Sequence, residues 1–544
     1  TCADATITGC ELSGNCGTIS EEKQGTITIT DSNNISLTIE ASGSVKPNDS
    51  SVAINFSNDS SIQTFKNQGT VVGGNDKASI VIGNSKDNGA TITNFENSGT
   101  IGNGSSKFGV VIWAKDDNAK STIENFTNDG AISSNDGESI FIKNTTIENF
   151  TNSGTISSTQ GQGINISNDA TIETFTNNGI ISSDNNNGIK LGYTGNSKKP
   201  TIKNFTNTGT IKSNSTKDLP QAGQTANAIG AVKIEYGDIE TINNSGTVSG
   251  ILGFNIMAST IDNFTNTGTI EGTSHHKYAG AFILTDSDNR TATIRNFTNE
   301  GLIKANNTNG IVIGIGNKIE TLTNNGTIEA GLDGISFTPV GNKSPNIDLG
   351  QINLESGSII KAGRDGIHVA GTNGGIKAKG IEVKKGAKVE GGNAGIFIGG
   401  GKQLDTLIKI SGEVKGGKAG IINEGVIGSG SDNEDTGIKI EEGGSLAGGI
   451  VNQGNGSITG SITVEEGGQL DSIVNTSTSD TGISGSITNN SNNKLEISNG
   501  EGATIGGGIV NNGSADLVIS NQGNVGKDKD GNTVTNNGQG SVNI

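Results

Sequence analysis

The chain is short of the residues that build most enzyme cores and most catalytic sites. Its 544 residues include 5 Pro, 3 His, 3 Cys, 3 Tyr, 1 Met and 1 Trp, and aromatic residues make up 3% of the whole. With 86 Gly besides, this composition is unlike that of an average globular enzyme and argues against a helix-walled core. Basic residues are also scarce: 37 against 55 acidic ones, a net charge of -18. No Lys/Arg-rich run could track a phosphate backbone, which excludes nucleic acid and anionic lipid as partners of choice. No stretch approaches the ~20 apolar residues of a membrane helix. Thr1 opens no signal-peptide pattern, so the chain reads as mature or trimmed.

What is present is evenly spread. Apolar residues are 30% of the chain, largely Ile, Val and Phe, and they never thin out as they do in disordered chains. The three cysteines, Cys2, Cys10 and Cys16, all fall in the first 16 residues. They are disulfide candidates for fastening a chain end in an oxidising compartment, with one thiol left over. A zinc site is the rival reading, although no His lies near them.

Length alone would suggest three or four domains of ~150 residues, an expectation that repetition overrides. One phrase recurs ten times: Ile, two residues, Phe, x, Asn, x, Gly, then Thr-Ile or a variant. It places Phe65, Phe95, Phe126, Phe150, Phe175, Phe205, Phe264 and Phe297 in one slot, with Ile242 and Leu322 in the other two copies. Successive copies lie 22 to 37 residues apart. Each is followed by alternating apolar residues, such as Ile140 and Ile142, Ile164 and Ile166, or Ile189 and Leu191. Alternation at period two marks a strand with one buried face. Ile and Phe three positions apart cannot both face inward on a flat strand, so a bend separates them.

Three short strands per repeat predict an all-β fold, a right-handed parallel β-helix in which each coil buries its apolar face by stacking on the next. The phrase's Phe residues form a stacked core column. Asn97, Asn152, Asn177 and Asn207 suit corners, since Asn tolerates left-handed backbone angles and can form side-chain amide ladders. The Asn-Phe-Thr sequons beginning at Asn125, Asn149, Asn204, Asn263 and Asn296 are explained by the repeat rather than by glycosylation. Residues 1–50 are expected to be an N-terminal cap, 51–340 a β-helix with the Phe column and loop insertions, and 341–544 the same helix with slimmer coils. In that last part Ile359, Val389 and Val414 lead the coils.

Catalytic patterns are not found, and no metal site or cofactor is expected. There is no Gly-x-Ser-x-Gly elbow. The adjacent acids Asp116/Asp117, Glu441/Glu442 and Glu465/Glu466 read as solvated turn charges. His275, His276 and Tyr278 share a long loop at 271–280, and a second long stretch spans 212–230; loops on rigid scaffolds are usual carriers of binding residues. Arg364-Asp365-Gly366 spells a tripeptide read by many integrins, and it is in register with Leu332-Asp333-Gly334. These are the candidate recognition residues.

The Asn-Phe-Thr-Asn-x-Gly-Thr-Ile phrases at 149–156 and 263–270 resemble the passenger domains of Gram-negative autotransporters, the type V secretion family. The resemblance covers nearly all of residues 50–544 and implies an extracellular protein displayed on the bacterial surface and exported across the outer membrane. The C-terminal outer-membrane barrel of that family is not in this chain. The missing serine motif disfavours its protease subgroup. The expectation is a non-enzymatic adhesin, binding a host-cell receptor or glycan or associating with its own copies in aggregates and biofilm. The alternatives are a vacuolating or pore-forming toxin and, third, a carbohydrate-active β-helix enzyme.

Overall fold

The computed structural model describes residues 6–7, 17–30, 34–103, 105–219, 227–285, 290–314, 316–338, 347–369, 376–401, 403–404, 407–428 and 436–544. Among these residues the regular structure is β-strand, with no α-helix. The chain forms two compact units, Thr1–Leu219 with Asn227–Thr273 and Pro220–Ala226 with Ser274–Ile544. Each is a parallel β-helix of three-strand coils, as the repeat predicts.

One coil of the first unit shows the construction. Thr145–Asn152 lies on a first face, Thr155–Ser158 on a second and Ile164–Ser167 on a third. The next coil repeats them as Thr171–Asn177, Ile180–Ser183 and Ile189–Gly192. Pairing is parallel and residue for residue: Ile147 on Ile172, Phe150 on Phe175, Ile156 on Ile181, Ile164 on Ile189. Like therefore stacks on like, and all of these side chains are buried. The bend expected between Ile and Phe is a bulge inside one continuous strand rather than a corner. The pairing skips Glu148 and Glu173, which leaves two adjacent residues outside and returns Phe to the interior.

The Phe column is real. Rings from Phe95 to Phe205 stack nearly parallel, with centroids 4.4 to 4.9 Å apart, and Phe65 joins them tilted at 5.0 Å. Ile242 then takes the slot between Phe205 and Phe264. In the second unit Phe297 is followed by Leu322, Ile352, Ile381, Ile408, Ile438 and Ile462 in one register. The column outlives its phenylalanines because the slot requires apolar volume rather than a ring.

The corner Asn residues do their work with the side chain. None of Asn97, Asn152, Asn177 and Asn207 has a positive φ, so backbone tolerance is not the reason for Asn there. Instead each Nδ2 donates to the Oδ1 of the Asn in the next coil at 2.7 to 2.8 Å, from Asn67 through 97, 128, 152, 177, 207 and 244 to Asn266. At the start of the row the coil beneath offers Ile39, which cannot donate, and Asn67 Oδ1 has no hydrogen-bond partner among the described residues. Glycine two residues later also acts by proximity: a Cβ on Gly154 would overlap the carbonyl oxygen of Gly130 in the preceding coil.

Two expectations change in the detail. Ile359 is 42% exposed, and its neighbour Ile360 is the inward residue that pairs with Ile328 and Val389. Residues 17–50, expected as a cap, already carry coil strands: Ile27–Ile29 pairs with Ile54–Phe56, and Leu37 sits beneath Phe65.

Candidate functional site

The chemically richest place in the described structure is a third-face corner of the second unit. At this corner a side-chain oxygen of one coil accepts a backbone N–H of the next. Asn309 Oδ1 accepts from Asp333 N at 3.1 Å, Asp333 Oδ1 from Asp365 N at 3.3 Å, and Asp365 Oδ1 from Ala394 N at 3.0 Å. The acids are explained locally as caps for donors that the ladder leaves unpaired. Both are fully buried, at 0% and 1% exposure, and a buried carboxylate requires compensation.

Arg364 supplies most of it. Its Nε donates to Asp333 Oδ1 at 2.8 Å and its Nη2 to Asp333 Oδ2 at 2.6 Å, a bidentate pair. Hydrogen bonding to Asp333 holds the guanidinium above its already high range, against partial burial. Asn393 Nδ2 donates to Asp365 Oδ1 at 2.8 Å, and Ser336 Oγ to Asp333 Oδ2 at 3.2 Å. His368 completes the group. Its Nδ1 lies 2.7 Å from Asp365 Oδ2 and 3.9 Å from Asp333 Oδ2, and its ring stacks on Phe397 in the following coil at 4.9 Å.

This geometry corrects the integrin-type reading of Arg364-Asp365-Gly366. Such recognition needs the acid to be presented outward, whereas Asp365 is buried and held by Asn393, Ala394 and His368. A Cβ on Gly366 would overlap the Val389 side chain, so this glycine serves packing. His276 and Tyr278 do lie together, with rings 5.6 Å apart and Lys277 Nζ 5.0 Å from the Tyr278 ring centre. His275 is exposed beside them. Cys2, Cys10 and Cys16 lie outside the described residues, as do residues 220–226 of the 212–230 stretch.

A second charged group sits on the outward side of the third face in the first unit. Lys190 and Lys233 are register partners, and both approach Glu235 Oε2, at 3.2 and 3.6 Å. Burial pushes the Lys233 ammonium below its usual range, with Glu235 opposing and Lys190 adding to the shift. The native state therefore disfavours the proton that the unfolded chain holds, and stability recovers as pH rises toward the ordinary lysine range. Lys233→Met removes that burden while leaving Glu235 paired to Lys190. Its thermal midpoint should equal or exceed that of the parent chain; a fall would show that the ion pair outweighs its desolvation.

The adjacent acids are not all solvated turn charges. Glu382, Lys409, Glu441, Lys439 and Glu465 alternate in sign across four coils at 3.3 to 3.9 Å. Burial works against the Lys409 charge, but Glu441 and Glu382 outweigh it and raise its pKa. Asp117 pairs with Lys198. The register of Asp333 with Asp365 could be read in the sequence. Its depth and the approach of His368 could not, because they depend on which side of a short corner each chain segment turns. No protein-family model, curated protein or solved structure matches this chain.

Proposed function

We propose that the chain is a surface-displayed adhesive β-helix, an autotransporter-like passenger that binds host cells and associates with its own copies through its flat first face. The observation that carries this reading is the outward side of that face. Beside the buried Phe column runs the row Lys66, Glu96, Thr127, Thr151, Thr176 and Thr206, and next to it Thr64, Asn94, Asn125, Asn149, Thr174 and Asn204, each on the next in register. The sequon asparagines Asn125, Asn149 and Asn204 belong to this outward row, and amide bonds of 3.0 Å join Asn125 to Asn94 and Asn149 to Asn125. Hydroxyls and amides repeat at the coil spacing of ~4.8 Å on a scaffold fixed by its own ladder. Such a surface offers many weak donors and acceptors in a fixed array, which favours a partner that repeats as well: a glycan chain or a second copy.

Thr151→Lys combined with Thr206→Lys tests it. Lys66 holds the same position natively, so the side chain fits, and the two new charges are separated by the coil of Thr176. Self-association by sedimentation and binding to epithelial cells should each weaken about tenfold, or 1.4 kcal/mol, with the thermal midpoint retained. If both stay at parent levels, the first face is not the adhesive surface.

A further inference from the structure

Asp333, Asp365 and His368 present one ligand atom each within 4.8 Å of one another, and all three are buried. We propose that they form a binding site for a divalent transition ion of the zinc type, with Asp333 Oδ2, Asp365 Oδ2 and His368 Nδ1 as ligands. Nothing in the residue pattern had suggested a metal site here.

The division of labour among the carboxylate oxygens carries the proposal. Both Oδ1 atoms are occupied by backbone donors, Asp365 N on one and Ala394 N on the other, and Asn393 adds a second bond to Asp365 Oδ1. These bonds fix the carboxylate planes in the way outer donors orient metal ligands. Both Oδ2 atoms are thereby turned toward His368 Nδ1, at 2.7 and 3.9 Å. Ligand atoms about 2.0 to 2.1 Å from a tetrahedral zinc lie roughly 3.4 Å apart, a spacing these two distances bracket. The imidazole is held in place by its stack on Phe397.

Charge points the same way. Two buried carboxylates face one guanidinium, leaving the group with one uncompensated negative charge when His368 is neutral. Nitrogen and carboxylate donors together suit zinc better than calcium or magnesium, which prefer all-oxygen sets. Arg364 is the competitor, since its Nη2 occupies Asp333 Oδ2, and it is half exposed and so able to swing into solvent. The ion would take the place of the proton shared by His368 and Asp365, of one arginine hydrogen bond and of the Ser336 Oγ bond to Asp333 Oδ2.

The test is zinc titration by calorimetry and thermal shift. The full chain should carry Cys2, Cys10 and Cys16 as Ser and His275 and His276 as Ala, to remove other soft ligands. One zinc should bind and raise the thermal midpoint. His368→Phe, whose ring matches Phe397 in the next coil, should fold and lose at least tenfold in affinity. Arg364→Gln should gain affinity, because it frees Asp333 without removing a ligand. No zinc binding by either the parent or Arg364→Gln overturns the site. Binding undiminished in His368→Phe overturns the assignment of ligands.

Discussion

Phe150→Ala should lower the stability of the first unit by about 3 to 5 kcal/mol, read as the shift in urea or thermal midpoint. Phe150 is completely buried, and its ring lies between those of Phe126 and Phe175 at 4.8 and 4.7 Å. Its removal opens a cavity in a column that cannot close, because the ladders above and below fix the coil spacing. Both neighbouring stacks are lost with it. Phe150→Leu gives the contrast: Leu322 and Ile242 occupy the same slot natively, so this change should cost less than about 1.5 kcal/mol. Equal losses for Ala and Leu would mean that ring stacking, rather than filled volume, dominates. A loss under 1 kcal/mol for Ala would mean that the coils relax into the gap.

Asn152→Asp should be nearly as damaging at neutral pH, about 3 kcal/mol or more, although it changes one group for another of the same size. In the native row Asn128 donates to Asn152 Oδ1, and Asn152 Nδ2 donates to Asn177 Oδ1 and to the carbonyls of Gly154 and Ile180. A carboxylate keeps the first bond and loses the other three. It also sets an ionised oxygen against three acceptors in a site without water access, as Asn152 is 0% exposed. Burial and those facing acceptors raise the carboxyl pKa of the folded variant above its unfolded value. The folded variant thus binds more protons, and its stability should rise as pH falls through that range. Asn152→Ala removes the charge but orphans the same partners, so its loss should be independent of pH. An Asp variant whose deficit does not shrink on acidification would show that the row is not acting through its donors.

These effects explain the composition. Asn and Gly are abundant because coil after coil uses a buried amide to pass a hydrogen bond along the corner and a residue without a Cβ where two coils approach. A similar solution recurs elsewhere in the second unit. From Asn423 through 452, 475 and 499 to Asn521, amides bridge at 2.8 to 2.9 Å, but on the third face. Meanwhile the first-face position holds Leu354, Val383, Ile410, Ile440 and Val464 before Asn489 restores the amide. The Gly-Gly-Ile-Val-Asn phrases around Ile450 and Ile509 look alike in sequence yet belong to different faces. A three-sided coil can exchange the roles of its sides without changing its local phrases.

Several features were determined by the sequence alone: the coil, its three strands, the inward Ile and Phe positions and the presence of an amide ladder. They follow from period-two alternation and a repeating phrase, both of which are local and are enforced again in every coil. Only the tertiary structure decided what the corners do. It assigned Asn its amide bonds rather than a left-handed turn, shifted the inward position from Ile359 to Ile360, and hid Asp365 from the solvent its tripeptide seemed to address. It also buried Asp333 and Asp365, whose register the sequence shows, and turned His368 against both, 35 positions beyond Asp333. Stacking converts a separation of one coil along the chain into ~4.8 Å in space. Which side chains then meet depends on loop length and on the direction of each corner, and no local phrase records either.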